Sequence, residues 1–133
     1  MRKFIATDSA PAAIGTYSQA VCHGNTLYIS GQIPLNPTSM EVTADEIQGQ
    51  ISQVFANLAA VCNAAKTTLD NTIKFTVYLT NLGDFPIVNK TMQTLLKPPF
   101  PARAVVEVSR LPKEVLVEID AIVDLGDQGN PAR

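Results

Sequence analysis

The sequence predicts an α+β domain with two helices on one face of a mostly antiparallel sheet. Three observations carry that prediction. Apolar residues recur at helical spacing in two stretches, runs rich in β-branched and aromatic residues alternate with a period of two, and the elements read in the order β-β-β-α-β-α-β-β. Two helices cannot cover both faces of such a sheet, so one face is left for another partner. At 133 residues the chain is long enough to bury one core and too short for two.

Phe4-Ile5-Ala6 reads as a short edge strand, and Asp8 to Thr16, with Pro11 and Gly15, as a loop. Tyr17 to His23 and Thr26 to Gln32 flank Gly24-Asn25, a two-residue turn that closes a hairpin. Pro34 and Pro37 punctuate the next loop, which ends at Thr43-x-x-Glu46, a capping-box pattern. Ile47, Ile51, Val54, Leu58, Val61 and Ala65 then form the stripe of an amphipathic helix. Thr72 to Thr80 is a strand with Ile73, Phe75, Val77 and Leu79 on one parity. Asp84 caps a second helix that runs to about Leu96, tolerates Pro86 in its first turn, and buries Phe85, Val88, Met92 and Leu95. Pro98-Pro99 ends it.

Two further strands follow, Ala102 to Val108 and Val115 to Leu125, separated by Arg110-Leu111-Pro112-Lys113. In the last one Val115, Val117, Ile119, Ala121 and Val123 share a face, while Leu116, Glu118, Asp120 and Ile122 share the other. Acids mixed with Leu and Ile suit an interface better than open solvent. The domain is expected to span residues 1–125, with a frayed, patternless tail over 126–133.

Hydrophobic residues make up 46% and charged residues 17%, the balance of a folded protein. Net charge is −2 and no basic cluster exists, which disfavours nucleic acid as a partner. No apolar run is long enough to span a membrane, and the polar Thr7-Asp8-Ser9 interrupts any signal-peptide core, so a cytoplasmic location is expected. Cys22 and Cys62 lack CxxC spacing and His23 is the single histidine; no metal site is expected, and both cysteines read as free thiols with packing roles.

Arg103 is the first candidate for chemistry. It stands in Phe100-Pro101-Ala102-Arg103 at the mouth of the apolar run Ala104-Val105-Val106, where a guanidinium must find an anion. If the last two strands form a direct hairpin, Val106 pairs with Val117 and Arg103 lies opposite Asp120. On the residues alone two readings stand, a structural ion pair and a clamp for a substrate carboxylate.

Five short words occur in order along the chain: Ala13-Ile14-Gly15-Thr16-Tyr17-Ser18-Gln19-Ala20, Leu27-Tyr28-Ile29-Ser30-Gly31-Gln32-Ile33-Pro34, Asn89, Pro101-Ala102-Arg103, and Arg110-Leu111-Pro112-Lys113 with Val117-Glu118-Ile119-Asp120-Ala121. Together they resemble the RidA family, also called the YjgF family, of reactive intermediate deaminases. The resemblance covers nearly the whole chain, to about Leu125. It implies a chorismate-mutase-like fold, a homotrimer with clefts between subunits, and a last strand inside the sheet, against the direct hairpin. It also implies hydrolysis of enamines and imines such as 2-aminoacrylate and 2-iminobutyrate to 2-oxo acids and ammonia, without a cofactor.

By position, the resemblance makes Arg103 the bidentate anchor of the substrate carboxylate. Tyr17 offers a hydroxyl in the cleft, though a core tyrosine with a satisfied tip fits the residue equally. Ser30 and Gly31 contribute polar and main-chain groups, with a β-bulge the structural alternative for the glycine. Asn89 bonds in the cleft or braces a loop. Val105 occupies a position often held by cysteine, where its main chain alone can serve. Asp120 is matched to the residue that orients or deprotonates water, usually glutamate. Its arm is shorter by about 1.5 Å, a misplacement that can cost on the order of 100-fold in rate, and Glu118, about 7 Å along the same face, is a weak substitute. Lys66 stands after the first helix where glycine is common, and Thr16 replaces a common proline. The rival functions are a non-catalytic module binding small carboxylates such as 2-oxo acids, and an endoribonuclease or translation inhibitor, which the acidic pI and the lack of a basic aromatic platform oppose.

Overall fold

The computed structural model describes residues 1–126. Six strands, β1 (Arg2–Ile5), β2 (Ala20–His23), β3 (Thr26–Gln32), β4 (Thr72–Leu79), β5 (Ala102–Glu107) and β6 (Val117–Asp124), form one sheet with helices α1 (Ile47–Ala64) and α2 (Phe85–Leu95). The strand order is β1-β2-β3-β6-β4-β5. All neighbours are antiparallel except β4 and β5, which are parallel. Because β6 runs against both β3 and β4, those two strands are parallel to each other with β6 between them. Each helix is therefore a crossover between parallel strands, α1 from β3 to β4 and α2 from β4 to β5.

This topology replaces the direct hairpin. β5 leaves the loop after α2 at the far edge, where Val106 pairs with Tyr78 and Arg103 with Phe75, while Asp120 faces Thr76 on the other side of β4. A parallel crossover needs its helix on the sheet, and α2 carries β5 past β4 rather than back toward β6. The last strand lies inside the sheet, as the resemblance implies.

One parity of each central strand is buried under the helices: Leu27 and Ile29, Phe75, Val77 and Leu79, and Val117, Ile119, Ala121 and Val123. From α1, Ile51, Val54, Phe55, Leu58, Val61 and Cys62 meet them. Phe55 packs edge-on against Phe75 with ring centroids 5.6 Å apart. Ile73 breaks the expected parity. A register shift between Thr72 and Lys74 turns Thr72 inward and leaves Ile73 exposed. In α2 the apolar stripe runs Val88, Met92, Leu96 at steps of four, so Leu96 is buried and Leu95 is not.

The caps differ from the patterns that suggested them. Glu46, not Thr43, caps α1, its Oε1 accepting from the Gly49 N–H at 2.8 Å, while the Thr43 hydroxyl donates to the Pro34 carbonyl. Asp84 makes no side-chain cap; a 3₁₀ turn over Leu82–Asp84 runs into α2, and Asn81 caps that turn through Gly83 N–H. No helix among the described residues is long and apolar enough to cross a membrane. The expected tail, beyond Gly126, lies outside the described residues.

Candidate active site

Gln19, at the start of the first long hairpin, is buried and works as a clamp on the segment before it. Its Oε1 accepts from Thr7 N–H at 2.7 Å, and its Nε2 donates to the carbonyls of Thr7 and Pro11 at 3.0 and 2.8 Å. This draws Pro11, Ala12, Ile14 and Tyr17 into one wall of a hollow of about 520 Å³. The opposite wall starts at a bulge in β3. Ile29 pairs with Ala121 and Gln32 with Ile119, so Ser30 and Gly31 together face the single residue Asp120. Beyond it, fully buried Asn57 of α1 donates to the carbonyls of Ile33 and Leu35 at 3.2 and 3.1 Å, holding that segment in place.

The floor of the hollow is Glu118, and Pro112 and Lys113 close its rim. Lys113 and Glu114 both adopt left-handed backbone, with φ of 55° and 57°. Two adjacent non-glycine residues in that region are strained, and the strain sits beside the hollow. Glu118 is packed against Gly31: a Cβ there would collide with Oε2 and come within 2.8 Å of Cδ. A side chain at this position would have to displace the carboxyl in front of it. Burial, helped by the nearby Asp120 charge, raises the Glu118 pKa above the usual carboxylate range.

Of the candidates read from the sequence, the structure brings Tyr17, Ser30 and Gly31 together around this hollow. Tyr17 is half-exposed on the rim rather than in the core. The Ser30 hydroxyl donates to the Ser18 carbonyl at 2.6 Å, which locks the bulge. Arg103 lies elsewhere. It lines a second hollow of about 290 Å³ with Asn89, Met92, Gln93, Leu96, Phe100 and Pro101. Its Nη1 donates to Asn89 Oδ1 at 2.9 Å and its guanidinium sits 5.0 Å from the Phe85 ring centroid. No carboxylate pairs with it among the described residues. Val105, two residues on, faces the same side and packs partly into the core.

Asp120 reaches neither hollow. It lies on the open face of the sheet and accepts a hydrogen bond from the Tyr78 hydroxyl at 3.1 Å. Arg103 and Asp120 therefore stand on opposite faces with β4 between them, and the ion pair expected from the hairpin register does not form. Sequence reasoning set Glu118 aside as a neighbour of Asp120. The signal that could have found it was Gly31, since a glycine in a buried hairpin strand marks close approach by something bulky.

A six-stranded sheet with two crossover helices on one face, a carboxyl-floored hollow and a separate guanidinium hollow define the class: a small α+β domain. The profile of the family described as Endoribonuclease L-PSP matches residues 7–125. The chain belongs to this family, the RidA/YjgF family. It is 46% identical over 125 residues to the 2-iminobutanoate/2-iminopropanoate deaminase of Escherichia coli, covering 92% of this chain and 97% of that one. A RutC family protein of Pyrococcus horikoshii is 46% identical over 122 residues, covering 92% and 97%. The crystal structure of RidA from an Antarctic Psychrobacter superposes with a TM-score of 0.89 at 48% identity, covering 92% of this chain and 98% of that one.

Proposed function

We propose that this protein is an imine deaminase that hydrolyses 2-imino acids, and the enamines in equilibrium with them, to 2-oxo acids and ammonia. The observation that carries this reading is Glu118, a half-buried carboxyl of raised pKa placed against Gly31 in a hollow shared with Tyr17 and Ser30. The deaminase relative named above supports it. Hydrolysis of C=N needs water added at carbon and a proton delivered to nitrogen. Glu118 takes a proton from water as the water oxygen bonds to the imine carbon and passes it to nitrogen, giving a carbinolamine; it then moves the carbinolamine O–H proton to nitrogen, so that the C–N bond breaks with loss of ammonia and a C=O bond remains. Raising a carboxyl's pKa makes it a better acid–base partner for both halves of that exchange.

Arg103 supplies the other requirement, an anchor for the 2-carboxylate. Asn89 and Phe85 hold its guanidinium while the rest of the fork stays open to a bidentate partner. Within one chain Arg103 and Glu118 are in different hollows, and the open sheet face carries Tyr28 and Val106 exposed. A homotrimer packed through those faces, with Arg103 of one subunit meeting Glu118 of the next, reconciles both facts. Val105 then contributes main-chain contacts beside Arg103. A cytoplasmic location fits a catalyst of short-lived metabolites, and the net charge of −2 disfavours RNA, whose phosphates it would repel.

The test couples the protein to a threonine dehydratase and follows decay of the released imine. Acceleration over buffer is expected, with Glu118→Gln falling to the buffer rate and Arg103→Ala raising KM steeply. A parent rate equal to buffer would overturn the reading. Sedimentation equilibrium reads the trimer directly.

A further inference from the structure

We infer that Tyr78 and Asp120 form a fixture beside Glu118: the phenol pins a negative charge next to the reacting carboxyl and so lets Glu118 both give and take a proton. The inference rests on the deaminase reading and assigns positioning roles to two residues that touch neither hollow. Its basis is geometric. Tyr78 of β4 stands directly opposite Glu118 in the antiparallel register, yet its hydroxyl reaches diagonally to Asp120 at 3.1 Å. The bond spends the phenol's only proton on Asp120, so Glu118 receives no stabilising donor from its closest cross-strand neighbour. Asp120, two residues along the same face, is about 7 Å away along the strand. The phenol thus serves Asp120, and Glu118 is left without it.

The pKa directions agree with this arrangement. Glu118 is raised by burial and then by the charge of Asp120, and Tyr78 is raised by burial, by its bond to Asp120 and by both acids. Within the chain, the titratable groups that face Glu118 are Asp120 on its own strand, Tyr78 across on β4, and Lys113 and Tyr17 around the hollow; β3 presents Ser30 and Gly31, which do not titrate, and the proposed trimer adds Arg103 of the next subunit, which stays charged throughout the titration. Lys74 lies four pairs further along, opposite Ile122. Burial is the larger cause of the Glu118 shift, and the charge of Asp120 adds to it.

The experiment measures kcat/KM against pH for the full-length protein, Asp120→Asn, Tyr78→Phe and the double variant. In parallel, the carboxyl-carbon NMR resonance of Glu118 is titrated, which needs no turnover. Asp120→Asn is expected to move the acid limb and the Glu118 titration down together by roughly half to one pH unit. Tyr78→Phe should give a smaller shift in the same direction, and none beyond Asp120→Asn in the double variant. A merely structural role would lower activity at every pH without moving the limb. An unmoved Glu118 titration in Asp120→Asn overturns the inference and leaves the deaminase reading intact, whereas full activity in Glu118→Gln overturns that reading and the inference with it.

Discussion

Lys66 shows how one residue can carry a backbone its type disfavours. It follows α1 with φ of 63°, and the bonds from Lys66 N–H to the Asn63 carbonyl and from Thr67 N–H to the Cys62 carbonyl make a Schellman ending. That ending asks for glycine, since a Cβ is crowded there. Lys66→Gly is expected to raise the unfolding free energy by roughly 1 kcal/mol, read as a higher urea midpoint at unchanged slope. Gly31 is the converse case. Gly31→Ala has to push the flexible Glu118 side chain aside, so it should cut kcat at least tenfold while thermal stability stays close to the parent; unchanged kcat would show that the Glu118 position is not critical. Lys66 could be flagged from sequence alone, because helix endings are local. Glu118 could not be chosen over Asp120, because the two share a strand face and only the bulge at Ser30-Gly31 decides which carboxyl enters the hollow.

At the scale of elements, α1 does more than cover the sheet. Besides Asn57, its Gln50 is buried, donating to the Ala44 carbonyl at 2.9 Å and accepting from Leu116 N–H at 2.8 Å. A helix that reads as an apolar stripe thus also ties down the segments before itself and before β6. Polar residues with this role look like solvated positions in a sequence, since nothing local marks their distant partners. β4 carries the opposite kind of feature. The buried Thr72 Oγ1 at its register shift has no hydrogen-bond partner among the described residues. Valine has the same shape without that unmet hydroxyl, so Thr72→Val should stabilise by about 1 kcal/mol in denaturant titration, whereas a loss would mean that the hydroxyl is solvated.

The whole molecule should show the cost of burying the Glu118 carboxyl in its pH response. A carboxyl with a folded pKa above its ordinary value near 4.5 binds more protons folded than unfolded between the two values. Stability therefore falls as pH rises through that window and levels off above it. Glu118→Gln should abolish turnover yet unfold at higher urea than the parent at about pH 7, the gap closing by about pH 4. A gap that persists at low pH would trace the gain to packing instead. Cys62, whose thiol is pushed up to about 12 by burial, takes no part in such chemistry.

Periodicity, turn residues and prolines by themselves determined both helices, the central strands and the sheet's uncovered face, and the sequence marked Arg103 and the acidic last strand as candidates for chemistry. These signals are local, set by a few residues and their side-chain direction. The placement of β6 between β3 and β4, the separation of Arg103 from the acids, and the selection of Glu118 over Asp120 came from tertiary structure alone. They depend on which strands pair and on one extra residue in β3, and pairing is decided by how two crossover helices share a single face, a property no short segment contains.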